Sequence, residues 1–339
     1  MGPHTIVWDV TYACPLRCTH CYSESGRRPS RQPSFDDLLR LTDAIIALRP
    51  DSVILVGGEP LLVNGIFTVA ERLKQAGSHV VLYTGGWSLR PSMVDELVRV
   101  CDEVTVSVDG ATAETHDRIR GRDGSFDRAI AALHLLDAAD TDPGFTFGVD
   151  SVVLRSNFDD LELVAGTIPQ RFANLGDLSF GAAIPSGLAS RIGFVEHELP
   201  TDDQVAALGG TELQQRLQAL APPSVRVSCL DNLYLRMSPD QLAAADFREI
   251  VVEADGEVRG MPIYEGTVGN LLTEPGEVLW ERSVARWSDP LVVEVLSGVR
   301  TMRDWAAATR RLDRHFGAER ERIRLDRRPE FSPAGTGRR

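Results

Sequence analysis

The sequence predicts an α/β protein with a parallel sheet, followed by a smaller α+β region. Two observations support this prediction. Through about residue 185, apolar strand-like runs alternate with segments in which apolar residues recur at helical spacing. After Pro185-Ser-Gly187 this alternation stops. Repeated β–α units imply parallel strands with helices on the outer face, and right-handed crossovers curl such a sheet toward a barrel.

The first part, residues 1–187, is predicted as the core of the protein. Its predicted strands span residues 5–10, 52–56, 79–84, 103–108, 145–154 and 177–183. Between the strands, apolar side chains recur at i, i+3 and i+4, as in the stripe formed by Leu38, Leu41 and Ile45. This spacing indicates amphipathic helices that pack against the sheet.

The second part, residues 188–326, has a different pattern. It contains a helical stretch over residues 201–220, a predicted β-hairpin over residues 249–259 and a helical region over residues 277–316. Residues 327–339 are rich in Arg, Pro and Gly and are predicted to be a disordered tail.

The composition excludes several classes of protein. With 43% apolar and 25% charged residues, the chain is typical of a soluble globular protein. A net charge of −13 argues against a nucleic-acid-binding protein. There is no signal peptide, and no apolar run approaches the ~20 residues of a transmembrane helix. We expect a cytoplasmic protein with neither nucleic-acid nor membrane partners.

Three of the five cysteines lie in the segment Cys14-Pro-Leu-Arg-Cys18-Thr-His-Cys21, directly after the first predicted strand. Thiolates in short, tightly spaced loops are the usual ligands of iron–sulfur clusters. Three thiolates can ligate three irons of a cubane cluster and leave the fourth iron open. Soft sulfur ligands also suit zinc, for which His20 offers a fourth ligand, although its position between two cysteines is cramped.

Two further motifs lie at the ends of predicted strands. Gly57-Gly58-Glu59-Pro60 closes the second strand, where glycines allow a ligand to approach the backbone and Glu59 can accept hydrogen bonds from an ammonium group. Ser107-Val-Asp109-Gly110 closes the fourth strand and is followed by Arg118 and Arg120, either of which can clamp a carboxylate. The bland alternatives are an ordinary strand-to-helix turn and two solvated surface arginines.

The cysteine spacing, the aromatic Tyr22 that follows it and the two strand-end motifs resemble the radical S-adenosylmethionine (radical SAM) superfamily over about residues 3–185. The resemblance implies a partial (β/α)6 barrel whose chemistry lies at the carboxyl ends of the strands. It implies one [4Fe-4S] cluster held by Cys14, Cys18 and Cys21, with S-adenosyl-L-methionine (SAM) chelating the open iron. It also implies an external one-electron reductant, such as flavodoxin or ferredoxin.

The resemblance further implies that the SAM pocket is built from strand-end residues. The Gly-Gly-Glu-Pro element would contact the methionyl amine, Ser107 the carboxylate or ribose, and Arg120, preferred over Arg118, a carboxylate. The predicted SAM-binding residues are Tyr22, Gly57, Gly58, Glu59, Pro60, Thr84, Ser107, Asp109, Arg120, Asn157 and Phe180.

The second part resembles the SPASM or twitch extension, which covers the substrate and normally binds auxiliary iron–sulfur clusters. Met261 stands where that extension usually has a cysteine, and Cys229 is the only cysteine in this half of the chain. One thiolate cannot hold a cubane cluster. The sequence therefore predicts an extension without auxiliary clusters, and Cys229 is either a small buried side chain or a hydrogen-atom donor to the product radical.

These observations predict a radical SAM enzyme of natural-product biosynthesis that acts on a small molecule, either a sugar, a nucleoside or a sugar nucleotide. Without auxiliary clusters, a redox-neutral outcome is favoured: epimerisation, rearrangement or C–C bond formation. The alternative is epimerisation or crosslinking of a ribosomally made peptide, against which we note that the barrel begins close to Met1. A non-catalytic metal-binding protein is the third hypothesis.

Overall fold

The computed structural model of the chain describes residues 2–139 and 144–332. The strands of the described residues are β1 (Thr5–Asp9), β2 (Ser52–Val56), β3 (His79–Thr84), β4 (Glu103–Ser107), β5 (Thr146–Val153), β6 (Asp177–Ala182), β7 (Arg226–Leu230), β8 (Glu249–Val252), β9 (Glu257–Arg259) and β10 (Thr267–Asn270). The helices are α1 (Phe35–Ala47), α2 (Ile66–Gln75), α3 (Val94–Val100), α4 (Ala113–Arg120), α5 (Ser125–Asp137), α6 (Leu161–Thr167), α7 (Ile192–His197), α8 (Asp202–Leu208), α9 (Thr211–Leu220), α10 (Pro239–Ala244), α11 (Gly276–Trp287), α12 (Pro290–Ser297), α13 (Met302–Phe316) and α14 (Glu319–Asp326).

All of these strands belong to one sheet. From β1 to β7 the strands lie side by side in chain order, and each is parallel to the next. β8 pairs with β1 in parallel, and β9 and β10 extend the sheet as an antiparallel meander. The described sheet therefore has two edges, β7 and β10, and remains open. The predicted fold class, an α/β partial barrel with a small α+β extension, is confirmed.

The C-terminal half differs from the sequence-based expectation in detail. β7 is absent from the six predicted strands, because it is a short, partly exposed edge strand with little apolar periodicity. The helical stretch predicted over residues 201–220 is two helices, α8 and α9, which are separated by Gly209-Gly210. The region predicted over residues 277–316 is three helices, α11 to α13.

Residues 327–332, the first part of the predicted disordered tail, pack against the core. The Arg328 guanidinium lies 2.7 Å from the Glu24 carboxylate, and the Phe331 ring lies 5.2 Å from the Phe194 ring. Charge pairing and aromatic packing hold this segment where composition alone indicated disorder. Residues 333–339 lie outside the described residues.

The two faces of the sheet differ in chemistry, because strand pleating sends alternate side chains to opposite sides. The helix-facing side carries buried apolar residues: Ile6, Trp8, Val53, Leu55, Val80, Leu82, Val104, Val106, Phe147, Val149, Leu178 and Phe180. The inner side carries polar residues in β1 and in β3 to β6: Asp9, Tyr83, Thr105, Ser107, Asp150 and Ser179. The polar interior of the partial barrel therefore positions the site. No helix in the described ranges is long and apolar enough to span a membrane.

Candidate active site

The three clustered cysteines lie in a loop at the carboxyl end of β1, where they line one cavity of about 190 Å³. All three are free thiols of intermediate burial. The cavity is bounded by this loop and by the carboxyl ends of β2 to β5. Its lining includes Leu16, His20, Tyr22, Gly57, Gly58, Glu59, Tyr83, Thr84, Gly85, Ser107, Arg120, Asp150 and Val152.

The Gly57-Gly58 pair packs against the start of the cysteine loop. The Gly58 N–H donates to the Thr11 carbonyl at 2.6 Å, and the Glu59 N–H donates to the Ala13 carbonyl at 2.9 Å. A Cβ atom on Gly58 would lie 2.1 Å from the Ala13 oxygen, and Gly57 has φ +120°. Only glycine allows the loop to pass this close. These glycines therefore position the cysteines as well as lining the cavity.

The carboxyl end of α4 supports the same loop from the side. The Thr19 N–H donates to the Ile119 carbonyl at 2.9 Å, and the Arg17 N–H donates to the Arg120 carbonyl at 3.0 Å. These carbonyls are among the last four of the helix, which have no partner inside it. The loop thus satisfies the helix end, and the helix end fixes the loop between Cys14 and Cys21.

Glu59 is held rigidly at the cavity wall. Its side chain is 1% exposed and accepts hydrogen bonds from the Thr84 hydroxyl at 2.8 Å and from the Gly85 N–H at 3.2 Å. Burial raises the pKa of Glu59 to about 7, and the hydrogen bonds from Thr84, Leu61 and Gly85 only partly oppose this. Sequence reasoning predicted that Glu59 can accept hydrogen bonds from an ammonium group. In the structure its carboxylate already accepts from Thr84 and Gly85, and so joins β2 to β3.

Arg120 and Arg118 lie in different environments, and only Arg120 lines the cavity. Its guanidinium forms a bidentate ion pair with Asp109, with Nε–Oδ2 at 2.5 Å and Nη2–Oδ1 at 2.7 Å. Arg118 lies outside the cavity and pairs with Glu198 at 3.6 Å. Burial alone would raise the pKa of Asp109, but Arg120, His20 and His116 together outweigh it and lower that pKa. Asp109 therefore neutralises Arg120 from behind, and does not line the cavity itself.

Tyr22 also lines the cavity, and its hydroxyl donates to Asp9 Oδ1 at 2.6 Å. Burial raises the pKa of Asp9 to about 6, a change that Arg259 and Tyr22 oppose. The Tyr22 backbone is covered by Gly187, where a Cβ atom would lie 2.1 Å from the Tyr22 carbonyl oxygen. The first residue after the cysteines is thereby fixed between the first strand and the turn after β6.

Besides Asp109, three predicted SAM-binding residues do not line the cavity. Asn157 is 1% exposed, and its amide bonds to the backbone of Leu154, Asp109 and Val152, so it joins the ends of β4 and β5. Pro60 is buried at the start of a short 3-10 turn. Phe180 pairs in register with Ser151 and faces the helices. Its neighbours Ser179 and Gly181 hold the inner positions of β6. Phe180, which was predicted to lie along the adenine, therefore points to the opposite face of the sheet.

The prediction of Cys229 as a hydrogen-atom donor is not supported by its position. Cys229 is the register partner of Phe180, and it packs on the helix-facing core. Burial raises the pKa of its thiol to about 11. Its alternative role, a small half-buried hydrophobic side chain, agrees with this environment.

Sequence reasoning missed Asp150, Tyr83 and Ser179 on the inner face. Asp150 lies between its register partners Ser107 and Ser179 and lines the cavity. Burial raises the pKa of Asp150 to about 6, with Asp109 adding to the rise and Arg120 opposing it. A polar residue alternating with apolar ones inside a predicted buried strand is the pattern that identifies such positions.

The three thiols fit a cluster better than a single metal ion. Two thiolates bound to one zinc at ~2.3 Å are at most about 4.6 Å apart. Within the described residues, the three sulfur atoms do not all lie within 4.8 Å of one another. A cubane cluster takes each thiolate on a different iron. Burial raises the pKa of Cys14 to about 12 and that of Cys18 to about 11, so ligation by these two thiols requires a strong local positive charge.

Comparisons with known proteins agree with this geometry. Residues 8–165 match the family model described as the Radical SAM superfamily. AdoMet-dependent heme synthase of Methanosarcina barkeri is 35% identical over 162 residues, which are 47% of this chain and 45% of that protein. Mycofactocin maturase MftC of Mycolicibacterium smegmatis is 34% identical over 177 residues, 51% of this chain and 44% of that protein. The matched segments thus span less than half of either relative.

Two solved structures share the fold. SuiB of Streptococcus suis bound to S-adenosylmethionine has a TM-score of 0.63 at 14% identity, over 87% of this chain and 68% of that chain. Native anSMEcpe with bound AdoMet has a TM-score of 0.60 at 20% identity, over 83% of this chain and 81% of that chain. The SPASM-like character of the C-terminal region stays a prediction. The chain therefore carries a radical SAM domain over residues 8–165, and enzymes with this domain use a [4Fe-4S] cluster and SAM.

Proposed function

We propose that this chain reductively cleaves SAM and uses the 5′-deoxyadenosyl radical to abstract a hydrogen atom from a small polar molecule. One observation carries the proposal: three free thiols, too far apart for one ion, line the same inner-face cavity as Glu59, Ser107 and Arg120. The bound cluster and SAM supply the radical chemistry. The protein's own residues hold these groups and exclude water.

The cavity residues would hold the cluster and SAM. Cys14, Cys18 and Cys21 would hold the cluster in a loop fixed by Gly58 and the end of α4. Glu59 and the backbone around it would receive the methionyl ammonium of SAM. Arg120 would meet the SAM carboxylate with those of its N–H groups that Asp109 leaves unused.

The inner face of β4 to β7 supports a small polar substrate. Ser107, Asp150, Ser179 and Ser228 are successive register partners across these four strands. This row offers short hydroxyl groups and one carboxylate, which suit the hydroxyl or amino groups of a sugar or nucleoside. A redox-neutral outcome is favoured because the other two cysteines do not line the cavity: Cys101 is buried in the core and Cys229 packs against it. We also propose a role in natural-product biosynthesis.

A second candidate function is modification of a peptide. The mycofactocin maturase relatives and the SuiB complex with precursor peptide SuiA support it. Under this alternative the polar row would contact a peptide backbone or a polar side chain. The reaction at the cavity would still begin with SAM cleavage.

Anaerobic reconstitution tests the proposal directly. The wild-type protein should bind about four irons per chain and, with dithionite and SAM, should release 5′-deoxyadenosine. An iron-free protein that never cleaves SAM would refute it. Deuterium transfer into 5′-deoxyadenosine from labelled sugars and nucleosides, compared with labelled peptides, decides between the two substrate classes.

A further inference from the structure

The outer surface of the cysteine loop carries a ring of arginines, which we call the arginine collar: Arg17, Arg27, Arg122 and Arg191. Each donates a hydrogen bond to a backbone carbonyl of the loop. Arg17 Nη1 lies 2.8 Å from the Cys14 oxygen, and Arg122 Nη1 lies 2.6 Å from the Pro15 oxygen. Arg27 Nη1 lies 3.3 Å from the Cys18 oxygen.

Arg191 completes the collar, with its Nη2 2.8 Å from the Thr19 oxygen. The carbonyls of Cys14, Pro15, Cys18 and Thr19 thus each accept a hydrogen bond from a guanidinium group. Arg17, Arg27 and Arg122 are exposed, and Arg191 is half-buried. A guanidinium has five N–H donors, so the exposed Arg17, Arg27 and Arg122 keep donors available for a partner. Arg191 contributes its charge, because all three of its nitrogens already donate to backbone carbonyls.

Within the described part of the chain, no carboxylate neutralises the collar. Across residues 2–139 and 144–332, none of its four guanidinium groups forms an ion pair with a carboxylate. The neighbouring Arg118 and Arg120, in contrast, pair with Glu198 and Asp109. This happens in a chain with 49 acidic and 36 basic residues. A cluster of unpaired positive charges in a protein of net charge −13 marks a surface that meets a negatively charged partner.

We propose that the arginine collar is the docking surface for an acidic one-electron carrier protein. The inference rests on the proposed function, because the collar surrounds the loop that would hold the cluster. In each encounter the reduced carrier loses one electron and the centre behind the collar gains it, and no bond forms or breaks. Complementary charge brings the carrier to the loop that holds the three cysteines.

The test uses the reconstituted enzyme and a purified acidic flavodoxin. In the double variant Arg27→Gln/Arg122→Gln, both exposed charges are removed while amide donors remain for the loop carbonyls. The Kd for oxidised flavodoxin at low ionic strength should rise about tenfold, the effect of losing two interfacial charge pairs. The difference between wild type and variant should shrink as NaCl is raised, because salt screens exposed charges.

Two control proteins separate charge from other effects. Arg49→Gln/Arg72→Gln removes the same number of charges away from the loop and should bind flavodoxin like wild type. Arg49 is exposed just before β2, and Arg72 is a half-buried residue of α2 that pairs with Asp43. Arg27→Lys/Arg122→Lys keeps both collar charges and should also bind like wild type. If the Lys variant weakens as much as the Gln variant, charge is not the determinant and the proposal fails.

Two further measurements complete the test. Iron content and dithionite-driven SAM cleavage of the Gln variant should equal those of wild type, whereas flavodoxin-driven cleavage should fall. Loss of iron would show that the collar only braces the loop, and unchanged flavodoxin affinity would show that the carrier docks elsewhere; either result overturns the proposal. If wild type fails to cleave SAM even with dithionite, the proposed function fails, and the binding data still report on the collar.

Discussion

Arg259 is expected to be the most stability-critical charge in the C-terminal region. Its side chain is 1% exposed, and its Nε lies 3.2 Å from Glu253 Oε1. Glu253 also meets Arg31 at 2.8 Å, and so connects the C-terminal region to the chain just after the cysteines. Burial would raise the pKa of Glu265, but Arg259 and Arg324 outweigh it and leave that pKa at about 2. Replacing Arg259 by Met removes this compensation at similar volume.

The size of the effect follows from the contacts that remain. Opposite charges 3.2 Å apart interact by roughly 5 kcal/mol at an effective dielectric constant of 20. Removing one partner of a buried pair typically costs about 3–5 kcal/mol. In the Arg259→Met variant Glu253 keeps Arg31, and Glu265 keeps Arg324 at 2.7 Å. We therefore expect the lower value, a loss of about 3 kcal/mol in the free energy of unfolding at neutral pH.

The pH dependence of this loss has a definite sign. A carboxyl group whose folded pKa is depressed stabilises the fold above its unfolded pKa, and this contribution disappears as the pH falls through the folded pKa. For Glu265 that window runs from 4.5 down to about 2. Without Arg259 the pKa of Glu265 rises. The deficit of the variant should therefore be largest at neutral pH and should shrink below pH 4.5.

Urea unfolding of the anaerobic protein at pH 7.5 and pH 4 measures both quantities. Arg99→Met is the matched control, because Arg99 is exposed and pairs with Glu71 at the surface. This control should lose less than about 1 kcal/mol. In a double-mutant cycle, Glu253→Gln combined with Arg259→Met should cost less than the sum of the single changes. If Arg259→Met is no more destabilising than Arg99→Met, the network does not stabilise the fold as argued.

Three other predictions concern the cavity and its surroundings. Replacing Cys14, Cys18 or Cys21 by Ala should abolish cluster binding and SAM cleavage, and iron analysis that still finds a full cluster would refute the ligand assignment. Because the Glu59 pKa is raised to about 7, the free energy of unfolding of the wild-type protein should fall as the pH rises from 4.5 to 8. The Glu59→Gln variant lacks this titration, so urea unfolding should show it gaining roughly 3 kcal/mol relative to wild type over that range. Parallel pH profiles for the two proteins would contradict this. Cys229→Ala should leave the product profile unchanged, and a stalled or diverted product would restore its predicted donor role.

The strands that the sequence predicts well are the buried ones. The predicted runs over residues 52–56 and 79–84 coincide with β2 and β3, because these strands are continuous apolar segments bounded by turns. β7 escapes prediction because an edge strand buries only part of its surface. The break between α8 and α9 also escapes, since the amphipathic pattern continues across Gly209-Gly210.

Within the site, the residues predicted correctly are those set by local sequence, and the errors are at residues set by long-range strand pairing. The cysteine spacing and the strand-end motifs are local, so the sequence identifies Cys14 and Glu59 as cavity residues. Which way Phe180 or Cys229 points depends on strand register, and a shift of one residue reverses the face. The partnership of Arg120 with Asp109 depends on how α4 returns to β4, which no local pattern specifies.

The two sides of the cysteine loop carry opposite charges. The cavity side is suited to a cationic ligand, and the outer side to an anionic protein. Inside, Glu59 and Asp150 are buried carboxyl groups whose pKa values are raised by desolvation to about 7 and about 6, while Arg120 is already matched by Asp109. Ionising these carboxyl groups is unfavourable until a cation arrives, and SAM brings both an ammonium and a sulfonium group. Outside, the arginine collar leaves positive charge unmatched. A loop only a few residues thick thus separates a cavity suited to a cation from a surface suited to an anionic protein.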